Sequence, residues 1–483
     1  MNKKITWLIL LGTPLFTSSQ HSVQPIVSTV TADSVVAVAS LQYQPNSFLR
    51  RILMGNNYRK TWQQQVSVPV FHFSKSGFTI KELGGGMQTK SLHITDGAGK
   101  DWSLRTVDKD VSNAIIPIES TLLRKASQDL ISAAFPYAAP VVGELAHAAG
   151  IIAARPQVFF VADDPQLGNF RPIFANTLCT LEERDPGFDS THNSVMVLYD
   201  LTQNNSYKIQ QHALLKARLL DVIIADWDRH ADNWRWGLKD SAGFKYYYAI
   251  PRDRDWAFYK SKGWIPKLVQ KTGGMRCFVN FEAKLKNVKN LSWKSWTFDK
   301  TFLNELTAAD WEAGIREIQN ALTDDVIEKA VHTLPSSVYA MNGKDFISKL
   351  KSRRNSLKEE VMKYYRFLSE EVLINGSNKN ESFSISTAGD SLVVAVVSTN
   401  EKRKLYQRSF SSADTYSIII NGYGGADIFE VDEKSKSKIR ITIHGGEGAD
   451  KYNIKGDIRT KIYDSSSAEN IVLNKNRSKV YLN

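Results

Sequence analysis

Residues 225–237 read ADWDRHADNWRWG, which sets Asp226, Asp228 and Asp232 with Arg229, His230 and Asn233 among three tryptophans, directly after the apolar run LLDVII. Twenty positions beyond Asn233, the stretch PRDRD supplies Asp253 and Asp255. Carboxylate and amide oxygens without cysteine suit a hard cation such as Mg²⁺, which takes one or two protein carboxylates and completes its shell with water and substrate phosphates. Phosphoryl transfer needs such a set: a carboxylate to orient or deprotonate the nucleophile, an oxygen ligand for the metal, and an aspartate bridging metal to phosphates. A plain surface turn of salt bridges among Arg229, Arg252, Arg254 and these acids is the competing reading. The deep apolar run before the acids and the flanking tryptophans weigh against it.

These residues are far apart in sequence, so elements must gather them. Residues 213–225 predict an apolar helix ending at the acids. WRWGL and FKYYYAI then predict two strands joined by the five-residue connection KDSAG. A hairpin returns the chain to its starting edge, so PRDRD emerges beside Asn233. In protein kinases the order is likewise helix, catalytic loop with Asp and then Asn five residues on, hairpin, and metal aspartate; Asp228 to Asn233 is also five.

The two stretches resemble those of the atypical kinase-like proteins, a group that includes HipA-like kinases, CotH spore-coat kinases and secreted Golgi kinases. DWDRHADN is similar to their D-R-H catalytic loops, and PRDRD to their metal loops. The resemblance implies Asp228 as catalytic aspartate, Asn233 as a metal ligand and Asp253 as the phosphate-bridging ligand, with Asp255 as the competing assignment. It also implies ATP as co-substrate with Mg²⁺ or Mn²⁺. Asp226 and Asp232 are metal-binding or supporting groups, and His230 orients the loop.

The expected fold is α+β, a two-lobed kinase-like domain followed by a smaller all-β domain. Residues 56–185 form the first lobe, a sheet with helices beside it. Its glycine run, Gly84, Gly85 and Gly86 with Thr89 and Lys90, would let backbone N–H groups approach phosphates. Arg105, on the strand WSLRTV, stands where kinases place a lysine, with Lys109 or Lys90 as substitutes; its acidic partner is Asp129 or Glu144. Glu182 or Glu183, in CTLEER, falls at the hinge near the nucleotide base. Residues 186–373 form a mainly helical lobe, in which 345–368 carry a core stripe of Phe346, Leu350, Leu357, Val361, Tyr364 and Leu368 at helical spacing.

Residues 374–483 form the β-rich domain. NGYGGADIFEV and HGGEGADKYNI repeat with Asp427 and Asp450 23 residues apart, which predicts a solenoid or a sandwich with repeated turns. Two degenerate glycine-aspartate copies favour turn formation over Ca²⁺ binding.

Residues 1–20 have a basic start, an apolar run and a small polar end, the pattern of a cleaved signal peptide, and 21–55 follow as an extended segment. The expected location is the periplasm or the outer membrane. Loss of Lys3 and Lys4 with the peptide lowers the net charge from +12 to +10. That excess suits an anionic envelope surface or a phosphorylated ligand and leaves membrane-surface association open. The cations are dispersed, without the basic, aromatic-interleaved block of a nucleic-acid reader. With 42% hydrophobic and 23% charged residues, no long stretch reads as disordered. Cys179 and Cys277 read as unpaired core thiols. The partners expected are a nucleotide and an envelope protein, glycan or lipid. A metal-dependent phosphohydrolase or glycosyltransferase using the two D-x-D pairs is an alternative that requires parallel βαβ units around the acids. A non-catalytic pseudokinase or structural module is another.

Overall fold

The protein, described by a computed structural model, is laid out over residues 33–482 apart from 45–46, 85–88, 112–120 and 466–468. The expected signal peptide and the glycines Gly85 and Gly86 lie outside the described residues. Seven strands build the first lobe: β1 (Ser34–Ala37), β2 (Val66–Phe71), β3 (Thr79–Gly84), β4 (Ser91–Thr95), β5 (Asp101–Thr106), β6 (Gln157–Val161) and β7 (Thr177–Glu183), in the order β1-β2-β6-β7-β5-β4-β3. Only β2 and β6 run parallel. Strand β1 and the helix Phe48–Met54 fall in the stretch expected to be extended. They were hidden because a four-residue strand and a two-turn helix carry too few periodic positions to stand out.

The second lobe is mainly helical and holds one small sheet, ordered β8-β10-β11-β9, from β8 (His192–Asn193), β9 (Tyr207–Ile209), β10 (Trp234–Ser241) and β11 (Phe244–Pro251). The apolar helix spans Gln211–Ile223, buried on most sides. β10 and β11 pair from Trp234↔Pro251 to Ser241↔Phe244, so the connection is two residues, Ala242 and Gly243, and not the five of KDSAG. Both have positive φ, 50° and 77°, the tight turn whose twist matches a hairpin. The core stripe is buried as expected, yet it is carried by two helices, Ser336–Asn355 and Leu357–Ser369, which break at Ser356. There the Ser356 hydroxyl donates to the Ser352 carbonyl, and such side-chain competition for backbone acceptors bends helices.

The last domain is a two-sheet solenoid. One sheet, all parallel, is β12-β16-β18-β20-β22, from β12 (Glu371–Asn375), β16 (Ser417–Gly424), β18 (Lys436–Glu447), β20 (Asp457–Asp464) and β22 (Ser478–Leu482). The other runs β15-β14-β13-β17-β19-β21, from β13 (Glu381–Ala388), β14 (Ser391–Ser398), β15 (Lys404–Ser411), β17 (Ile428–Val431), β19 (Lys451–Ile454) and β21 (Ile471–Lys475). Stacked turns put like on like: Phe383, Phe429 and Tyr452 form a ring stack at 4.8 and 5.2 Å. Gly448, at φ +131°, approaches its neighbour so closely that a Cβ would lie 1.7 Å from the Gly425 carbonyl oxygen. No other residue fits there.

Side-chain oxygens climb the same stack. The Glu381 N–H donates to Asp427 Oδ1, the Asp427 N–H to Asp450 Oδ1, and the Asp450 N–H to Asn470 Oδ1, each at 2.8 Å. Burial first, then the neighbouring acids, pushes Asp427 up to about 9; burial and Asp464 push Asp450 up to about 6. The folded ladder therefore holds protons that an unfolded chain releases near pH 4. Its contribution is complete below that pH and is lost as pH rises through 6 and then 9. By scanning calorimetry, the solenoid transition is expected to move to lower temperature between pH 5 and pH 9, with a shallower slope in Asp427→Asn. A flat or rising transition contradicts the ladder's role.

The solenoid is joined to the helical lobe by more than the chain. Arg403 donates to the carbonyl of Gly243 at the hairpin turn and lies 4.0 Å above the Phe244 ring. Phe244 itself packs on the solenoid core, and Lys208 Nζ donates to the Leu405 carbonyl at 2.6 Å.

Candidate active site

Between the buried helix Gln211–Ile223 and β10, residues 225–233 form a loop at the lobe boundary. The loop opens with Ala225 at φ +55°, and the partner loop holds Asp253 at φ +57°. Non-glycine residues in this conformation cost of order 1–3 kcal/mol and persist only where the surroundings over-determine them. Here a single side chain does much of that. Arg229, 1% exposed, donates to the Arg252 carbonyl at 2.5 Å and to the Asn233 carbonyl at 3.1 Å, and faces the Trp234 ring at 4.8 Å. The Arg252 N–H closes the contact by donating to the Asn233 carbonyl at 2.9 Å. Both loops, separated by the whole hairpin, are thus pinned to each other.

The backbones that carry Asp228, Asn233 and Asp253 meet at this junction. The Asn233 side-chain N–H₂ donates to the Asp228 carbonyl, which turns its Oδ1 away, and no described residue donates to that oxygen. The Asp228 N–H donates to Asp226 Oδ1 at 3.1 Å. Burial raises Asp226 to about 7 despite Arg229 at 3.8 Å, and its Oδ2 has no hydrogen-bond partner. Asp226 therefore supports the loop from below. Asp232 is 90% exposed and points away. The His230 ring is half-exposed and reaches only Asp232 at 3.5 Å, so the orienting role expected of His230 belongs to Arg229.

Across the cleft stand two cations. Arg105, on β5, lies 3.1 Å from Glu182 Oε1 and 3.5 Å from Asp253 Oδ1. Lys109 is nearly buried, donates to Asp255 at 2.7 Å and sits 4.4 Å above the Trp256 ring. Burial works against the Asp253 carboxylate, but Arg105 and Lys109 outweigh it and bring it to about 2. Burial and then Asp253 raise Asp255 to about 7. Two carboxylates this close resist ionising together, and Arg105 and Lys109 supply the opposing charge. Among the described residues no group of three or more His, Cys, Asp or Glu is placed to hold a metal ion by itself. A hard cation would be held by two carboxylates, the free Asn233 oxygen and its substrate's phosphates, a set that fits Mg²⁺.

The remaining expected residues divide. Thr89 lines the same cleft as Arg105, Lys109 and Glu182, whereas Lys90 contributes only its carbonyl, bonded to the Thr106 N–H. Gly84 ends β3 where a Cβ would meet the His93 ring. Asp129 and Glu144 do not pair with Arg105: Asp129 is buried against Arg59 and Arg50, and Glu144 faces Arg155 at 3.9 Å. The partner is Glu182, one strand away on β7 across Ser103, and Arg252 lies 3.6 Å from it as well. Glu182 is thus held by two guanidinium groups at the base of the cleft. Glu183 pairs with Lys100. Cys179 and Cys277 are buried free thiols.

Two site residues had no motif to announce them. Lys294, from the turn Trp293–Ser295, donates to Asp228 Oδ1 at 2.6 Å and lies 4.7 Å above the Trp227 ring. Asp221, an acid inside the apolar run, anchors Arg218, Arg254 and Arg229 at 2.8, 2.9 and 3.4 Å. Its only signal is a carboxylate at a position the pattern marks as buried.

No family model matches the chain, and no curated protein matches it. Solved structures that align include the Helicobacter pylori proinflammatory kinase CtkA, at 10% identity over 61% of this chain and 99% of that one, with a TM-score of 0.32. The Rio2 kinase of Chaetomium thermophilum, an ADP/Mg²⁺-phosphoaspartate complex, aligns at 10% over 59% and 73%, TM-score 0.30. The Shewanella oneidensis toxin HipA aligns at 10% over 56% and 64%, TM-score 0.28. Scores this low carry no weight for activity. What stands is the observed architecture, two lobes followed by a smaller all-β domain, with helix, loop, antiparallel hairpin and acidic loop in the order expected from the sequence. The acids flank the antiparallel hairpin β10–β11, and although β9 and β11 pair in parallel, β10 intervenes between them in the chain, so no simple run of parallel βαβ units surrounds the acids.

Proposed function

We propose that this chain is an exported, Mg²⁺-dependent kinase-like phosphotransferase that uses ATP and acts on an acceptor of the cell envelope. The observation that carries the reading is the joining of the loop of Asn233 to the loop of Asp253 through Arg229, with Asp253 and Asp255 set against Arg105 and Lys109 in one cleft. In it Asp228 accepts a hydrogen bond from the acceptor hydroxyl and orients it, Arg105 and Lys109 bind phosphate oxygens, and Glu182 holds Arg105 in place. The cation, when bound through Asp253, Asp255 and Asn233, neutralises charge on the phosphates. Export is supported by the pattern of residues 1–20, and the envelope acceptor follows from export.

Thermal unfolding of the mature chain with ATP and Mg²⁺ or Mn²⁺ tests the reading. A rise in melting temperature that requires both nucleotide and cation is expected; no rise under any combination refutes it. The Lys294 contact makes a separate prediction. Its ammonium holds Asp228 in position and lies where charge gathers during transfer, so Lys294→Met is expected to slow turnover about a hundredfold. Nucleotide-dependent stabilisation should stay as in the wild type. Unchanged turnover assigns Lys294 to packing alone.

A further inference from the structure

Five large apolar side chains stand in solvent on two touching helices. Phe48, Leu49 and Ile52 are 71%, 43% and 39% exposed on Phe48–Met54; Trp264 and Leu268 are 73% and 46% exposed on Trp264–Lys271. Spacing of four residues puts Phe48 with Ile52, and Trp264 with Leu268, on single faces. The helices meet backbone to backbone: a Cβ on Gly263 would lie 2.4 Å from the Met54 carbonyl carbon, and one on Gly55 would lie 2.7 Å from the Gly263 nitrogen. The Lys262 N–H donates to Asn57, which itself donates to the Met54 carbonyl. The two apolar faces therefore form one fixed patch, not two mobile ends.

Along both stretches charge has a single sign. Residues 48–62 contain Arg50, Arg51, Arg59 and Lys60, residues 256–281 contain Lys260, Lys262, Lys267, Lys271 and Arg276, and neither stretch holds an acid. Arg50 and Arg59 are consumed by Asp129. Arg51, Lys262, Lys267 and Lys271 are exposed and make no ion pair with a described residue. Arg51 lies 5.9 Å from the Phe48 ring. A tryptophan and a phenylalanine flanked by leucine and isoleucine, with lysine and arginine beside them, is the composition of a helix that lies in a membrane interface. No helix among the described residues is long and apolar enough to cross a membrane.

We infer that this patch docks the protein on an anionic bilayer surface, with Trp264, Leu268, Phe48, Leu49 and Ile52 entering the headgroup region and Arg51, Lys262, Lys267 and Lys271 contacting lipid phosphates. A protein partner would need a matching acidic rim around an apolar socket, whereas an anionic bilayer offers both over any area. Trp264 lies nine residues beyond Asp255. Docking thus tethers the acidic loop close to the bilayer and, resting on the phosphotransfer reading, makes the acceptor a membrane-surface one.

The test is co-sedimentation of the mature chain with vesicles of phosphatidylcholine alone or containing phosphatidylglycerol. Binding is expected only with the anionic lipid and is expected to weaken as salt rises. The combined reversal Arg51→Glu, Lys267→Glu, Lys271→Glu, and separately Trp264→Ser with Phe48→Ser, should each weaken it about tenfold or more, with unchanged melting temperatures. Asp253→Asn should bind vesicles as the wild type does, so failure of the nucleotide reading and failure of docking are read apart. Equal capture by neutral vesicles, or binding that survives both sets of substitutions, overturns the proposal. So does binding seen only after residues 21–32 are deleted, which would assign the patch to that segment.

Discussion

Asp253→Asn is expected to abolish the stabilisation by ATP and Mg²⁺ and to lower turnover below detection, while Asp228→Ala keeps the stabilisation and loses about 10²–10⁴ in turnover. The two acids are split because they face different partners. Asp253 sits between Arg105 at 3.5 Å and Asp255, on the side of the cleft where phosphates and cation would lie. Asp228 faces Lys294 and the turn Trp293–Ser295, on the side proposed for the acceptor. A ligand at a hundred times its dissociation constant stabilises by about 2.7 kcal/mol, so the loss is large enough to read as a shift in melting temperature. Asparagine is the better substitution at 253, since it tolerates φ +57° where alanine adds strain. If both variants keep the stabilisation, the nucleotide does not bind through these acids. If Asp228→Ala turns over normally, Asp228 has no role in transfer.

Asp221→Asn should cost about 3–5 kcal/mol in urea unfolding, the penalty of breaking a buried ion pair from one side. Asp221 is 1% exposed and accepts from Arg218 Nη1 at 2.8 Å and Arg254 Nε at 2.9 Å, with Arg229 Nε at 3.4 Å. Arg218 keeps Asp299 as a second partner, so the cost falls on Arg254 and Arg229. Burial would raise Asp221, and the three guanidinium groups, Arg254 first, hold it below the ordinary range instead. A depressed carboxylate contributes stability above its unfolded pKa and loses it as pH falls, so the variant should lack part of the wild type's acid sensitivity. Nucleotide binding should weaken in parallel, because Arg229 carries both loops. A change of less than about 1 kcal/mol would show that the arginines find other partners.

Much of the site could be read from spacing because hairpin geometry is local. Once WRWGL and FKYYYAI pair, Asn233 and Asp253 must return to one edge, whatever the rest of the fold does. The repeat of the last domain was legible for the same reason, since 23 residues is the structural period itself, while solenoid and sandwich stayed open until the strand pairing was seen. The partner of Arg105 was not legible. A strand-to-strand contact between β5 and β7, across 77 positions of sequence, follows from sheet order and not from any pattern within either strand. The expected helical acid was drawn instead to Arg59 and Arg50, from a helix and turn that periodicity did not reveal. Lys294 lies on a short turn whose placement depends on the packing of Trp296 and Phe298 with their neighbours.

The β10–β11 hairpin has two ends with different owners. Its open end carries Asn233 and, just past Pro251, Asp253; its closed end is gripped by Arg403 and buries Phe244 against the solenoid. Eight paired residues at about 3.3 Å each make a stiff strut of roughly 26 Å. The repeat domain therefore cannot tilt against the helical lobe without flexing the ribbon on which the acidic loops hang. The ribbon is thus anchored at both ends, in the acidic loops by Arg229 and in the solenoid by Arg403.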